Sequence, residues 1–364
     1  MSTRSIPCRP ALVAVAVVTA ALAALLGAPS PGHAAVEWKK LALADALELA
    51  KQQHSVVILD VYADWCGPCH TYDEKVFNRD DVATALGNAV TVRIDGEKGE
   101  GPDLVKRYHV VGYPTILFLA PDGQEIDRIF GYLEADPFKA TAADYLAGKK
   151  TIGALEKELA GRPNDHALRF DVVRRMVIRG ELDKALALAG PIFDKDPDNK
   201  LGFVPALHDT FGNYGYLRGA KNYDKAIAEF DAILTRFPDS DEAKQARYPL
   251  ARAWFGKGDN DKALSVLQAH IDVDPRDVGR YNAVAWFCFQ NDLALEQAVT
   301  LAAKGLAIDP KAAYLLDTLA ELHFKLGQHK QAIAAIKKAV AADPKDPYYK
   351  KQLARFKAGK KQAP

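Results

Sequence analysis

The stretch YADWCGPCHTY, residues 62–72, carries the strongest indication of fold in this chain. It follows SVVILDVY, residues 55–62, a continuous apolar run typical of a strand buried on both faces of a sheet. Cys66 falls where the next helix should begin, and a thiolate is stabilised at a helix N-terminus by unpaired N–H groups and the helix dipole. Cys69 is three residues further on. The spacing therefore predicts an exposed first sulfur and a sheltered second one, close enough to form a disulfide.

Three kinds of site use a close cysteine pair: a metal site, a structural disulfide, and a pair of thiols that exchanges electrons. A structural zinc site usually has four Cys or His ligands in two paired clusters, but no second Cys-x-x-Cys follows and His70 is the only histidine nearby. A disulfide that closes so short a loop removes little chain entropy. The exchanging pair is therefore favoured, with no metal and no cofactor. Pro68 suits the first turn of a helix, and Gly67 leaves room for a partner's backbone.

Composition limits both the class of protein and its partners. A chain of 364 residues is long enough for two domains, and a formal net charge of +1 gives no electrostatic reason to expect nucleic acid as a partner. In residues 1–34, Arg4 and Arg9 precede an apolar run, and small residues follow it near Ala34. This pattern predicts a secretory signal peptide and a periplasmic or secreted protein. The run, residues 11–26, is short for a spanning helix, which favours the signal peptide. An uncleaved N-terminal membrane anchor is the alternative.

Residues 36–148 alternate strand-like and helix-like stretches. The strand-like stretches are residues 55–62, 89–94, 115–119 and 125–130, and the helix-like ones are residues 42–51, 69–77, 103–108 and 137–146. Strands that alternate with helices predict an α/β domain built around a mixed sheet.

The second half of the chain carries a repeat instead. The alanine of a recurring Asp-Lys-Ala-like motif returns at intervals of 41, 37, 35 and 34 residues, at Ala185, Ala226, Ala263, Ala298 and Ala332. A proline follows each alanine by twelve residues, at Pro197, Pro238, Pro275, Pro310 and Pro344. Small residues let paired helices pack closely and the proline ends the second helix, so the period predicts helix–turn–helix repeats. We expect about five repeats in residues 165–357, a helical linker in residues 149–164, and an insertion at GYLRGAKNY, residues 215–223.

Both halves resemble known families. The repeat resembles the tetratricopeptide repeat (TPR), whose arrays commonly bind a protein or peptide in a concave groove. DVYADWCGPC, residues 60–69, and VVGYPTILFL, residues 110–119, resemble the active-site sequences of the thioredoxin family. The resemblances imply an α/β thioredoxin fold followed by an all-α TPR solenoid.

The thioredoxin resemblance also implies roles for individual residues. It makes Cys66 the attacking nucleophile, Cys69 the resolving thiol, and Asp60 a buried carboxylate that moves a proton. It implies a Cys66–Cys69 disulfide in the oxidised protein and a cis peptide bond before Pro114. The residues that it places against a client are Trp65, Gly67, Pro68, Tyr113, Pro114 and Thr115.

The segment ADWCGPCHTYDEKVF, residues 63–77, resembles one branch more closely, namely the C-terminal domain of the thiol:disulfide interchange protein DsbD and related secreted proteins. In that branch an acidic residue, here Asp73, accompanies the buried carboxylate. His70 and Thr91 stand where thioredoxins usually have lysines, and Tyr113 is bulkier than the usual isoleucine. Asp73 and His70 are therefore candidates for tuning the cysteine pair, although a solvated helix residue is the simpler interpretation of His70. The expected partners are client proteins with disulfides and a membrane or periplasmic electron donor.

Two functions of different class follow from these observations. A protein-disulfide reductase is favoured, because the thioredoxin pair has a potential near −270 mV against about −120 mV for the oxidant DsbA; an isomerase role stays open. In this hypothesis the array docks clients or partners near Cys66 and raises their effective concentration. The alternative is a TPR adaptor in which the thioredoxin fold serves mainly as a binding module. Cys288, in the apolar stretch NAVAWFCFQ, is predicted to be a buried core thiol.

Overall fold

The computed structural model describes residues 35–359. The predicted signal peptide or membrane anchor in residues 1–34 lies outside the described residues. Within residues 35–359, every helix is either too short or too polar to cross a bilayer.

The first half of the described chain is built on a four-stranded sheet. Its strands are β1 (Val57–Tyr62), β2 (Val90–Asp95), β3 (Thr115–Leu119) and β4 (Glu125–Phe130), in the order β2-β1-β3-β4. β1 is parallel to β2 and antiparallel to β3, and β3 is antiparallel to β4. Five helices accompany the sheet: α1 (Leu43–Gln52), α2 (Gly67–Tyr72), α3 (Asp80–Ala85), α4 (Gly101–Arg107) and α5 (Ala135–Leu146).

Alternate residues of β1 face two separate apolar cores. Leu59 packs in a cluster with residues of α1 and α4, whereas Ile58 packs in a cluster with residues of α2, α3 and α5. Both faces are therefore covered, which explains the continuous apolar run in the sequence. Because side chains alternate along a strand, Asp60 shares the face of Ile58, on the side of the sheet that carries α2. This alternation directs the carboxylate toward the helix that begins with the cysteine pair.

The predicted elements of this half match the structure with two differences. The helix expected over residues 69–77 begins earlier, as α2, and its second part is a π-helical turn, Asp73–Phe77. The short helix α3 was not predicted from the sequence; Val82 is its only buried residue, so it has too little apolar periodicity to be recognised.

The rest of the described chain consists of helices. They are α6 (Ile152–Gly161), α7 (His166–Ile178), α8 (Leu182–Lys195), α9 (Val204–Asp209), α10 (Tyr223–Arg236), α11 (Asp241–Lys257), α12 (Asn260–Asp272), α13 (Val278–Gln290), α14 (Leu295–Ile308), α15 (Ala313–Lys325), α16 (His329–Ala342) and α17 (Pro347–Lys357). All five repeat alanines are completely buried, and each repeat proline follows the end of a helix, as the period predicts. The expected insertion is helical through much of its length, because α9 continues into a π-helical segment, Thr210–Ala220. The wider π turn accommodates extra residues without a loop.

A buried carboxylate on β4 joins the sheet to the helices. Asp127 is 1% exposed and accepts hydrogen bonds from Arg175 Nη1 at 3.1 Å and from Arg179 Nη2 at 2.8 Å. It also accepts from the backbone N–H groups of Arg128 at 2.7 Å and Ile152 at 2.6 Å. The first TPR-like helix, α7, is therefore attached to the sheet by charged hydrogen bonds to a buried carboxylate.

A second contact reaches the loop before β3. The ring of His109 lies against two glycines of the array, since a methyl group added at Gly180 or Gly219 would come within 2.8 Å or 2.7 Å of it. Phe130 and Tyr214 also meet edge to face, with centroids 5.3 Å apart. The array therefore packs against the loop that leads to Pro114, which fixes its position relative to the cysteine pair.

Candidate functional site

The cysteine pair lies at the start of α2 as the sequence predicts. Cys66 is the N-cap residue, its Sγ accepts a hydrogen bond from the Cys69 N–H at 3.2 Å, and the two sulfurs form a disulfide. The prediction of an exposed first sulfur is wrong for this oxidised form, because Cys66 is 2% exposed and Cys69 is 1% exposed. The side chains of Tyr62 and Tyr113 pack against the pair and cover it.

The next two helix positions are open to solvent. Gly67 and Pro68 are exposed, and a side chain added at Gly67 would meet no atom within 4 Å. There is consequently room for a partner's backbone beside Cys66, which is the property that the sequence analysis assigned to Gly67.

The loop opposite the pair contains a cis peptide bond between Tyr113 and Pro114, as the family resemblance implies. The Tyr113 ring is half-buried and meets the Trp65 indole edge to face, with centroids 6.0 Å apart. Trp65 is 68% exposed, and its Nε1 donates a hydrogen bond to Glu97 Oε2 at 2.9 Å. The two aromatic rings thus form one exposed wall beside the disulfide.

Thr115 is less accessible than its assignment to client binding requires. It is completely buried in β3, where it pairs with Val61 on one side and Phe130 on the other. Its hydroxyl donates to the Gly112 carbonyl at 2.7 Å. The Thr115 side chain therefore supports the loop, and the surface open to a client is formed by the residues before Pro114.

Asp60 lies under the site with 1% of its surface exposed. Burial raises the pKa of its carboxyl to about 7, with Arg93 opposing the shift and Asp73 adding to it. Arg93 Nε is 2.9 Å from Asp60 Oδ2, although the pair is out of line for a hydrogen bond. The carboxyl is therefore able to gain and lose a proton near neutral pH.

The sequence analysis did not identify the cation that lies beside Asp60. Thr91 was expected to replace the family's lysine near the buried carboxylate, but Thr91 pairs with Ile58 and its hydroxyl donates to the Glu37 carbonyl at 2.5 Å. Arg93 pairs directly with Asp60 across β1 and β2. The signal that would have identified Arg93 is its charge inside the otherwise apolar strand AVTVRI.

Arg93 also contacts the second acidic residue of the site. Its Nη1 donates to Asp73 Oδ1 at 2.5 Å, and its guanidinium lies 4.2 Å from the centroid of the Tyr62 ring. Asp60, Arg93 and Asp73 therefore form a chain of charges that runs from the buried side of α2 to its surface. His70 is exposed and its Nε2 donates to the Asp64 carbonyl at 2.8 Å, so it acts here as a surface helix residue.

A cleft with a volume of about 890 Å³ separates the cysteine-pair region from the helical array. Trp65 and Tyr113 line one side of it, and residues of α10, α11, α13 and the π-helical segment line the other. The sequence analysis predicted a docking array but gave no indication that its helices face the indole of Trp65. Within residues 35–359, no group of three or more His, Cys, Asp or Glu side chains is arranged to hold a metal ion.

Comparison with known proteins divides the chain into the same two parts as the structure, a part built on a sheet and a helical part. Residues 43–146 match the family described as thioredoxin-like domain, and residues 217–285 and 294–356 match tetratricopeptide repeats. The thiol:disulfide interchange protein DsbD of Klebsiella pneumoniae is 38% identical over 103 residues, which are 27% of this chain and 17% of that protein. The DsbD of Pasteurella multocida is 34% identical over 108 residues, or 29% of this chain and 18% of that protein. The matched region thus spans less than a fifth of the length of these relatives.

Solved structures match each half separately. The oxidised C-terminal domain of DsbD from Neisseria meningitidis is 29% identical, covering 29% of this chain and 96% of that chain, with a TM-score of 0.26. YrrB, described as a TPR protein with an unusual peptide-binding site, is 17% identical, covering 56% of this chain and 98% of that chain, with a TM-score of 0.38.

Proposed function

We propose that this protein is an exported protein-disulfide reductase. Its residues 43–146 belong to the thioredoxin-like domain family, and its C-terminal half carries tetratricopeptide repeats. The observation that carries the proposal is the Cys66–Cys69 pair at the start of α2, with a carboxyl of pKa about 7 under it. In this proposal residues 36–148 carry the chemistry and residues 165–357 bind clients or partners. Export rests on the sequence pattern of residues 1–34.

The reaction begins with the reduced pair. The Cys66 thiolate attacks one sulfur of a client disulfide, a mixed disulfide forms, and the other client sulfur leaves as a thiolate. The Cys69 thiolate then attacks Cys66 Sγ, the mixed disulfide breaks, and the second client thiolate leaves. Two electrons have passed to the client, whose two thiolates take up protons, and Cys66 and Cys69 are joined as a disulfide. A dithiol of an electron-donor protein in the exported compartment returns the two electrons.

Asp60 accepts the proton that Cys69 loses before the second attack. A carboxyl with a pKa of about 7 is half ionised near neutral pH, so it accepts and releases protons at the working pH of an exported protein. Arg93 and Asp73 tune this carboxyl from opposite sides, since the guanidinium favours its charged form and the second carboxylate disfavours it.

In this proposal, the exposed surface around the cysteine pair contacts the client. Gly67 and Pro68 admit the client backbone, and Trp65 and Tyr113 form the wall against which it lies, whereas Pro114, which the family resemblance also placed against a client, is buried. Tyr62 and Tyr113 pack against the pair, and Cys66 is 2% exposed in this oxidised form.

A trapping experiment tests the exchange chemistry. The full chain with Cys69→Ser is expressed in its exported compartment, and mixed disulfides are sought on non-reducing gels. We expect discrete adducts that disappear in a Cys66→Ser control, because only the first thiol attacks the client. Absence of adducts, with proteins still retained by the array, would instead support the adaptor function.

The direction of exchange needs a separate measurement. Equilibration of the pair with glutathione buffers should give a potential near −270 mV for a reductase. A potential closer to about −180 mV, the value of protein disulfide isomerase, would support isomerisation.

A further inference from the structure

The cleft beside the cysteine pair is positively charged. Arg218, Lys221 and Arg252 line it, and none of the described residues that line it is acidic. In the described part of the chain, neither Arg218 nor Arg252 forms an ion pair with a carboxylate, although Arg218 Nε donates to Asn213 Oδ1 at 3.1 Å. Burial and the neighbouring Arg252 both lower the pKa of Arg218, with weaker opposing effects from Tyr214, Asp209 and Tyr248. Two guanidinium groups thus line the array side of the cleft, and neither is paired with a carboxylate of the described residues.

One of these charges lies beside the loop that contains Pro114. A methyl group added at Gly112 would lie 3.2 Å from Arg218 Nη1, so the guanidinium is packed against the backbone of the loop. Gly112 is two residues before Pro114, a stretch of chain that spans no more than about 7 Å. A client segment that pairs beside Pro114 therefore passes within reach of Arg218. At about 3.3 Å per residue, the client side chain that meets it is within roughly four residues of the client cysteine.

Aromatic residues make up more than half of the remaining lining of the cleft. Trp65 and Tyr113 face Tyr223, Tyr248 and Trp286 across it. Aromatic rings supply large contact areas to a peptide at low cost in side-chain entropy, and this surface is partly exposed. A peptide, and not a small ion alone, matches the size and lining of this cleft.

The charge of the array reverses on the far side of Tyr248. There a second cavity is lined by four carboxylates and one arginine, namely Asp209, Asp241, Glu242, Asp277 and Arg280. Its carboxylates repel a long polyanion, so an acidic ligand is accommodated only over the short length between the loop and Tyr248. This reversal disfavours nucleic acid or an extended acidic tract as the occupant.

We propose that this cleft is the client-binding site, and that it selects extended client segments with an acidic side chain within about four residues of the reactive cysteine. Arg218 and Arg252 bind that carboxylate, and the aromatic wall holds the flanking residues. The inference rests on the proposed reductase function. It goes beyond that function by assigning the choice of client to a surface formed by both halves of the chain.

Rates with matched peptides test the proposal. Two disulfide-bonded peptides are identical except that Glu residues within four positions of the cysteine are replaced by Gln, and a third carries Lys there. The reduced full-length protein should reduce the Glu peptide with a kcat/KM about tenfold higher than the Gln peptide at low salt, since charge-assisted contacts are lost in the latter. The preference should decrease in about 0.5 M salt, because the cleft is open to solvent.

Variants assign the preference to the arginines. In Arg252→Glu the order of the Glu and Lys peptides should reverse, and in Arg218→Lys, which keeps the charge, most of the preference should remain. Arg236→Gln is the matched control, because it removes an exposed arginine from α10 outside the cleft and should leave the ratio unchanged. Point variants are preferable to deletion of the array, since deletion would leave Asp127 buried without Arg175 and Arg179.

A neutral small disulfide, bis(2-hydroxyethyl) disulfide, separates the two proposals. If the wild-type protein fails to reduce it, the reductase function itself is refuted. If the protein reduces it but treats the Glu, Gln and Lys peptides alike, the reductase function stands and the acidic-client proposal is overturned. A Glu preference that persists in Arg252→Glu and in Arg218→Gln would also overturn the assignment to this cleft.

Discussion

Replacement of Arg93 by glutamine should raise the pKa of Asp60 above its value of about 7. The guanidinium is the nearest positive charge to this buried carboxylate, with Nε 2.9 Å from Oδ2, and it is the main opponent of the desolvation that favours the neutral acid. With glutamine at position 93, Asp60 keeps its burial and the repulsion from Asp73, and both of these favour the protonated form.

The size of the shift follows from the geometry. An opposite charge within about 4–6 Å changes a carboxyl pKa by about 1–3 units. Arg93 also donates to Asp73, and its side chain is 18% exposed, so we expect about one to two units. At pH 7 the ionised fraction of Asp60 would then fall from about one half to about one tenth or one hundredth. If the carboxylate accepts the proton of Cys69, resolution of the mixed disulfide slows about fivefold to fiftyfold.

Two measurements check this prediction. Carboxyl 13C NMR gives the pKa of Asp60 directly, and single-turnover reduction of a client disulfide as a function of pH gives the rate. Arg93→Lys keeps the positive charge and should change the pKa less, whereas Asp73→Asn removes a like charge and should lower it. An Asp60 pKa that is the same in the wild type and in Arg93→Gln would refute the electrostatic account. A shifted pKa with an unchanged rate would remove Asp60 from the reaction.

Three further predictions concern stability and reactivity. Asp127→Asn should lower the free energy of unfolding by about 3–5 kcal/mol in urea titrations, because it removes the buried carboxylate that accepts hydrogen bonds from both Arg175 and Arg179. Asp171→Asn, at a more exposed partner of Arg175, should change it by less than about 1 kcal/mol. Similar losses in the two variants would contradict the joint described above. Cys288 should resist iodoacetamide at pH 8 in the native protein and react in urea, since burial raises its pKa to about 11; rapid native labelling would contradict its burial. Burial lowers the pKa of His270 to about 4 in the folded protein. Because this imidazole binds a proton at a higher pH in the unfolded chain, the free energy of unfolding should decline as pH falls from about 6.5 toward 4. An equal decline in His270→Gln would show that other groups are responsible.

Local sequence pattern was sufficient for most elements of the fold, although not for α3. The alternation in EIDRIF predicted β4, and the period of the repeat alanines predicted which positions would be buried. These signals are local because the pleat of a strand and the turn of a helix fix which side chains face the core. The cysteine pair was likewise found from one short segment, since its chemistry depends on a single helix N-terminus.

The parts that were missed depend on pairing between distant segments. Arg93 lies beside Asp60 because of the register between β1 and β2. A register shifted by two residues would place Thr91 opposite Asp60 instead. The burial of Cys66 depends on Tyr113, which lies far along the chain. The cleft depends on how α7 docks on β4, and nothing in the repeat period indicates that docking angle.

The hydrogen bonds of Asp127 have a consequence for association between copies of the chain. In the described part of the chain, β4 is an edge strand of the sheet, and an open edge is a template for pairing with a strand of another molecule. The Arg128 N–H at the middle of β4 is already donated to Asp127, and the Arg128 carbonyl accepts from the Tyr145 hydroxyl at 3.5 Å. Asp127, which attaches the helical array, and Tyr145 of α5 thus occupy two backbone groups that intermolecular strand pairing would use.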